Sequence, residues 1–186
     1  MKFLTLEDGQ LGVLYDGVVI DVVAAAQFLS VATPATSLEA LVSAGDSAAG
    51  EVFRLAQQAL QEGCASRPFG EVKPMAPLPV PRRNILCLGK NYLEHAQELA
   101  PKMKTSGEAP RQPIFFTKAG SAVIAPGEAI PAWQKYTQKL DYEAELALVI
   151  GRNGRDIAPA DAWNYVFGYT AINDISARDL QKGHHQ

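Results

Sequence analysis

The sequence predicts an α+β protein in two parts, and three observations carry that reading. Two Asp-Gly pairs separate short apolar runs in the first twenty-two residues, five of the chain's twelve prolines fall between Ser66 and Arg83, and two of the apolar runs that follow carry acidic residues. The expected division is a small N-terminal α+β domain over 1–70, a proline-rich linker over 71–83 and a larger, strand-rich domain over 84–186. The composition of this 186-residue chain, 47% hydrophobic and 20% charged with a net charge of -3, is that of a folded protein. With no run of Lys or Arg, it argues against nucleic acid or an anionic membrane as partner and favours a small molecule. The apolar stretch Val18 to Ala32 is interrupted by Asp21 and Gln27 and falls short of the roughly 18 residues a membrane helix needs. No signal-peptide pattern follows MKFLTLEDGQ, so a cytoplasmic location is expected.

In order along the chain, Asp8-Gly9 and Asp16-Gly17 tolerate the positive φ angles of tight hairpin turns, so residues 2 to 22 read as a three-stranded meander. Thr36-Ser-Leu-Glu39 has capping-box form and opens a short helix that ends at Gly45. A second helix starts near Asp46, buries Val52, Leu55, Ala56, Ala59 and Leu60 at helical spacing, and stops at Gly63. The prolines Pro68, Pro74, Pro77, Pro79 and Pro81 then exclude helix and central strand. Beyond them, Asn84 to Leu88 reads as a buried strand, 91 to 100 as a helix capped by Asn91, and 101 to 113 as a loop long enough to act as a lid. Strands are expected at Ile114 to Thr117, Leu140 to Ile150 and Tyr169 to Asp174, with a short helix from Pro159 to Val166. Cys64 and Cys87 lack Cys-x-x-Cys spacing and read as two reduced thiols.

Three patterns carry chemistry. In Leu140-Asp-Tyr-Glu143-Ala-Glu145-Leu-Ala-Leu-Val-Ile150, side chains alternate between faces, so Glu143 and Glu145 share one face and Ala144, Leu146, Leu148 and Ile150 take the other. Two such acids are either an ordinary solvated pair on a strand edge or ligands for a hard divalent cation, which removes their repulsion. Asp174, closing another apolar strand, would supply the third carboxylate of an oxygen-rich Mg²⁺ site; it would otherwise be a turn residue or the cap of a helix at Ser176-Ala-Arg-Asp179. His95 and Glu98, at i and i+3 on the expected helix, have the spacing of a general base and its orienting carboxylate, a weak pattern on its own.

Taken together, Gly89-Lys-Asn-Tyr-Leu-Glu-His95-Ala-Gln-Glu98, Leu140-Asp-Tyr-Glu143-Ala-Glu145 through Gly151-Arg, and Gly168-Tyr-Thr-Ala-Ile-Asn-Asp174 through Arg178-Asp-Leu-Gln181 resemble three successive signatures of the fumarylacetoacetate hydrolase family. The pattern is similar to its acylpyruvase and 2-hydroxyhepta-2,4-diene-1,7-dioate isomerase-like branch. Leu88 stands where some members place a further carboxylate seven residues before the histidine, which fits the three-carboxylate branch.

The resemblance implies a mixed β-roll holding Mg²⁺ or Mn²⁺ (Ca²⁺ in crystals) through Glu143, Glu145 and Asp174, with His95 and Glu98 as the water-activating dyad. Arg178 and Gln181 would stabilise an oxyanion. Lys118 would touch the substrate, or be only an exposed lysine at a strand end. The implied reaction is hydrolysis of a carbon–carbon bond in an acylpyruvate-type 2-oxo acid through a metal-held enolate, in a homodimer. The alternatives are a 2-oxo-acid decarboxylase or tautomerase on the same site, or a non-catalytic metal-binding fragment. The family domain continues beyond the position of Gln186 and carries a lysine without counterpart here, so the catalytic domain is expected to be truncated at its C-terminal end.

Overall fold

The fold is taken from a computed structural model, which describes residues 2–92 and 112–184. The expected meander is present. Strands β1 (Lys2–Thr5), β2 (Leu11–Tyr15) and β3 (Val18–Asp21) pair antiparallel, with Phe3 opposite Val13 and Val13 opposite Ile20. The β2–β3 turn has Asp16 at φ 46° and Gly17 at φ 78°, the two left-handed residues that a twist-matched two-residue hairpin requires. The sequence reading missed a fourth strand, β4 (Ser66–Pro68), which pairs with β3 in the order β1-β2-β3-β4. It lies on the sheet edge, where proline is tolerated.

Helix α1 (Val22–Phe28) was not foreseen either. It leaves β3 directly, and Asp21 caps it by accepting from the Ala24 N–H at 3.0 Å. Helix α2 (Leu38–Ala44) is capped by Ser37, whose hydroxyl accepts from the Ala40 N–H at 3.2 Å, one residue later than the expected Thr36. Gly45, at φ 80°, ends it as expected. Helix α3 (Asp46–Gln61) buries Val52, Leu55, Ala56 and Ala59, while Leu60 stays at the rim. Together with Leu11, Val13, Ile20, Val22 and Leu41, these side chains form the main core.

In the rest of the chain the strands pair two by two. β5 (Ile85–Gly89) opposes β6 (Ile114–Lys118), close to the expected runs, but β5 is not the buried strand expected, since Leu86 and Leu88 are exposed. The expected strand over 140–150 is divided by Tyr142 and Glu143 into β7 (Leu140–Asp141) and β8 (Ala144–Ile150). β9 (Val166–Asn173) starts three residues before its expected limit and pairs with β8. The turn before it, Pro159–Tyr165, is 3-10 rather than α-helical. β10 (Ser176–Ala177) pairs with β7 and runs into helix α4 (Arg178–His184). The expected helix over 91–100 and loop over 101–113 fall almost wholly outside the described residues.

By compactness the chain forms two units, 80–123 with β5 and β6, and 1–79 together with 124–185. Within the latter, Arg152 pairs with Asp46 at 3.1 Å, and the Phe3 and Phe167 rings lie 6.2 Å apart, which ties β9 to the N-terminal core. Gly151 permits the close passage of the chain just after β8 beside β9, since a Cβ there would stand 2.8 Å from that of Phe167. Among the described residues no helix is long and apolar enough to cross a membrane.

Candidate active site

The β8–β9 ladder sets Ala144 opposite Asn173 and Glu145 opposite Ile172. One further step brings Glu143 opposite Asp174, and the Asp174 N–H donates to the Glu143 carbonyl at 2.8 Å. Opposed residues of an antiparallel pair share a face, as do residues two apart on one strand. The register therefore sets Glu143, Glu145 and Asp174 on one face of the hairpin, where all three are half-buried. Ala144, Leu146, Leu148 and Ile150 take the exposed face, as the alternation required. Asp174 is not a helix cap, because α4 begins four residues later.

The segment after Asp174 is fastened to the segment before Glu143. Ser176, which the sequence placed at the start of a helix, instead lies in β10, and its hydroxyl donates to Glu143 Oε1 at 2.5 Å. Arg178 donates through Nε to Asp141 Oδ2 at 2.8 Å and through Nη1 to Gln181 Oε1 at 3.2 Å, and its Nη2 lies 3.3 Å from Glu143 Oε1. Its partial burial alone would weaken the charge, but the hydrogen bond to Asp141 and the negative charge of Glu143 hold its pKa above the ordinary arginine value. Asp179 accepts from the Thr137 hydroxyl at 2.5 Å and the Gln138 N–H at 3.0 Å, and these bonds, the hydroxyl's first, lower its pKa.

The sequence reading named neither Asp141 nor Ser176, Asp179 or Thr137 as part of this arrangement. For Asp141 the signal was present, because it continues the spacing of two through Glu143 and Glu145. The partners of Ser176 and Asp179 depend on a pairing 33 and 42 residues apart.

A cation can be weighed against this donor set. As placed, no three or more His, Cys, Asp or Glu side chains among the described residues lie close enough together to hold a metal ion. The carboxylates share a face without converging, and that of Glu143 is turned to Ser176 and Arg178. The chemistry of the donor set nevertheless suits a divalent cation. Asp141, Glu143, Glu145 and Asp174 lie along one hairpin, Arg178 is paired with only the first two, and Glu145 has no partner among the described residues. Hard oxygen donors are the set that Mg²⁺ and Mn²⁺ take. By donor chemistry Glu143, Glu145 and Asp174 suit such an ion, while their placement does not bring them to one point.

Of the other expected site residues, His95 and Glu98 lie outside the described residues. Gln181 is on α4, beside Arg178. Lys118 ends β6 in the other compact unit, its ammonium 5.9 Å above the Phe116 ring.

Residues 84–186, more than half of the chain, match the family described as fumarylacetoacetate (FAA) hydrolase C-terminal. The chain belongs to the fumarylacetoacetate hydrolase family. Among curated relatives, an oxaloacetate tautomerase of Bacillus subtilis (strain 168) is 48% identical over 118 residues, which cover 63% of this chain and 38% of that protein. A mitochondrial oxaloacetate tautomerase of Xenopus laevis is 39% identical over 107 residues, 58% of this chain and 31% of its own. Of the solved family members, a fumarylacetoacetate hydrolase from psychrophilic Exiguobacterium antarcticum matches all of this chain and 60% of its own, with TM-score 0.71 and 33% identity. A maleylpyruvate hydrolase from Sphingobium sp. SYK-6, solved with manganese(II) and pyruvate, matches 96% and 60% of the two chains, with TM-score 0.66 and 27% identity. The chain thus spans well under half the length of these curated relatives. Its fold is that of the fumarylacetoacetate hydrolase family, over about three fifths of its solved members.

Proposed function

We propose that this chain contributes to an enzyme that enolises a small 2-oxo acid at a divalent-cation site. The observation that carries the proposal is the register of β8 and β9, which sets Glu143, Glu145 and Asp174 on one hairpin face. Those three carboxylates would hold Mg²⁺ or Mn²⁺. When bound, the cation supplies Lewis acidity toward the carboxylate and 2-oxo oxygens of the substrate.

The remaining chemistry falls to the protein's own groups. Gln181 accepts from Arg178 through Oε1, and its amide nitrogen is assigned as donor to the oxygen that gains charge on enolisation. His95, with Glu98 as its orienting carboxylate, is assigned the proton at the carbon beside the 2-oxo group. Returning that proton to the oxygen completes a keto–enol tautomerisation, the reaction named for two of the relatives. The second reading, carbon–carbon hydrolysis of an acylpyruvate, is favoured by the likeness to maleylpyruvate hydrolase. In that reaction His95 takes its proton from water, hydroxide adds to the distal carbonyl, and the pyruvate enolate leaves.

Both readings are tested on the full chain with saturating Mg²⁺ or Mn²⁺, by following the ultraviolet absorbance of oxaloacetate enol and of a panel of acylpyruvates. Accelerated enol–keto interconversion is expected, falling about 10²- to 10⁴-fold in His95→Ala and less in Glu98→Gln. A chain that neither interconverts oxaloacetate nor cleaves any acylpyruvate with either metal refutes the proposal.

A further inference from the structure

We propose that Asp141 is a positioning residue: by holding Arg178 it fixes which way the Gln181 side-chain amide faces, so that the nitrogen and not the oxygen is offered to the charge that develops on enolisation. This rests on the function proposed above and adds to it the residue that prepares the Gln181 donor.

By spacing alone Asp141 stands with Glu143 and Glu145 as a third acid of one strand. The structure gives its carboxylate another task. In the pairing of β7 with β10, Asp141 is opposite Ser176 and Leu140 opposite Ala177, and the Arg178 N–H continues the ladder by donating to the Lys139 carbonyl at 2.9 Å. Arg178 is thus the diagonal neighbour of Asp141 on the same face, and its Nε donates to Asp141 Oδ2 at 2.8 Å.

A guanidinium is a rigid planar fork, so holding one N–H sets the direction of the others. With Nε on Asp141, Nη1 donates to Gln181 Oε1 at 3.2 Å, three residues along α4, and Nη2 forms an ion pair with Glu143 Oε1 at 3.3 Å. Arginine carries donors only, so the end of the Gln181 amide that meets it is the oxygen. The nitrogen is then left for another acceptor. Without Asp141, Nε is released to turn toward Glu143, Nη1 is no longer held at Gln181, and the amide is free to present either end. An amide oxygen set against the developing enolate would oppose the charge that the nitrogen stabilises.

The test is a double-mutant cycle on the full chain with saturating Mg²⁺ or Mn²⁺, following oxaloacetate or the acylpyruvate that wild type turns over best. Gln181→Ala should lower kcat about 10²- to 10³-fold, the range for a lost oxyanion donor. Asp141→Ala should lower kcat about 10- to 10²-fold, as a misplaced group does, and change KM less. In the Gln181→Ala background the same Asp141→Ala change should cost about 2-fold or less, because the group it positions is gone. Asp141→Asn keeps an acceptor oxygen for Nε and should restore most of the rate. In protein labelled with ¹⁵N-arginine, the Arg178 Nε–H, recognised by its loss in Arg178→Lys, should exchange with water faster in Asp141→Ala than in wild type. Thermal unfolding establishes that each variant is folded. If Asp141→Ala is not, Asp141→Ser, which stays polar but is too short to reach Nε, carries the same cycle.

An unchanged kcat in the folded Asp141 variant, equal costs in the two backgrounds, or an unchanged exchange rate of the Arg178 Nε–H would overturn the positioning role and leave the proposed function standing. A wild-type chain that turns over neither oxaloacetate nor any acylpyruvate would refute the proposed function, and the positioning role with it.

Discussion

The N-terminal sheet and the β8–β9 hairpin follow the same strand alternation and reach opposite ends. In the N-terminal sheet the apolar face meets α1, α2 and α3, and Leu11, Val13 and Ile20 are fully buried with Leu41 and Val52 from the helices. In the hairpin the apolar face stays in contact with solvent, leaving Leu146, Leu148, Ile150 and Tyr169 between 47% and 60% exposed. The opposite, half-buried face carries the acids. Alternation decides which residues travel together, and a covering layer decides whether they stabilise anything. Stability in this chain is concentrated in one region and the candidate chemistry in the other.

That contrast can be broken most directly by a pair of truncations. Leu41→Ala should cost about 2–5 kcal/mol, the range for a fully buried leucine, whereas Leu148→Ala on the open face should cost about 1 kcal/mol or less. Urea unfolding of the two variants measures both. Equal costs would mean that the hairpin face is covered in solution, and the contrast would fail. A smaller effect sharpens the N-terminal side: Asp21→Ala removes the α1 cap and should cost about 1 kcal/mol in the same assay, with Asp21→Asn losing less.

The smallest effect concerns Glu7, which accepts from the Lys73 N–H at 2.7 Å and pairs with Arg67 at 2.9 Å. These bonds, the backbone one first, hold its pKa below the ordinary 4.5. A carboxyl lowered in the folded state favours folding above pH 4.5 and loses that contribution as pH falls through its folded value. Glu7→Gln should therefore lose less stability than wild type on acidification, by an amount that water screening keeps small. A variant whose acid profile superimposes on that of wild type would show that the clasp contributes nothing to folding.

What could be read from the sequence was local. The Asp16-Gly17 turn, the apolar spacing of α3 and the common face of Glu143 and Glu145 follow from neighbours in the chain, and the structure has them, whereas Asp8-Gly9 lies in a longer connection from Thr5 to Leu11 in which only Gly9 takes a positive φ. The failures share a physical cause. β4 is three exposed residues whose only reason to be a strand is the edge of β3, some fifty residues earlier. α1 begins where an apolar run resumes after a single acidic residue, Asp21, which caps the helix and closes β3 as well. Ser176 and Asp179 have the spacing of a capping box, yet tertiary partners outbid the local ones, and both side chains serve the strand and loop opposite.

The fastening between 137–143 and 174–179 has a consequence for how the region opens. The N–H groups of Gln138, Asp174 and Arg178 donate to Asp179, Glu143 and Lys139 respectively, so each segment holds the other in alternation. Releasing one of these amides to exchange with deuterium means parting the two segments, which releases the rest. The three should lose their protons at one shared rate, as a single cooperative unit that contains Glu143 and Asp174. The carboxylates would then keep their relative positions for as long as that unit stays closed, and lose them all at once.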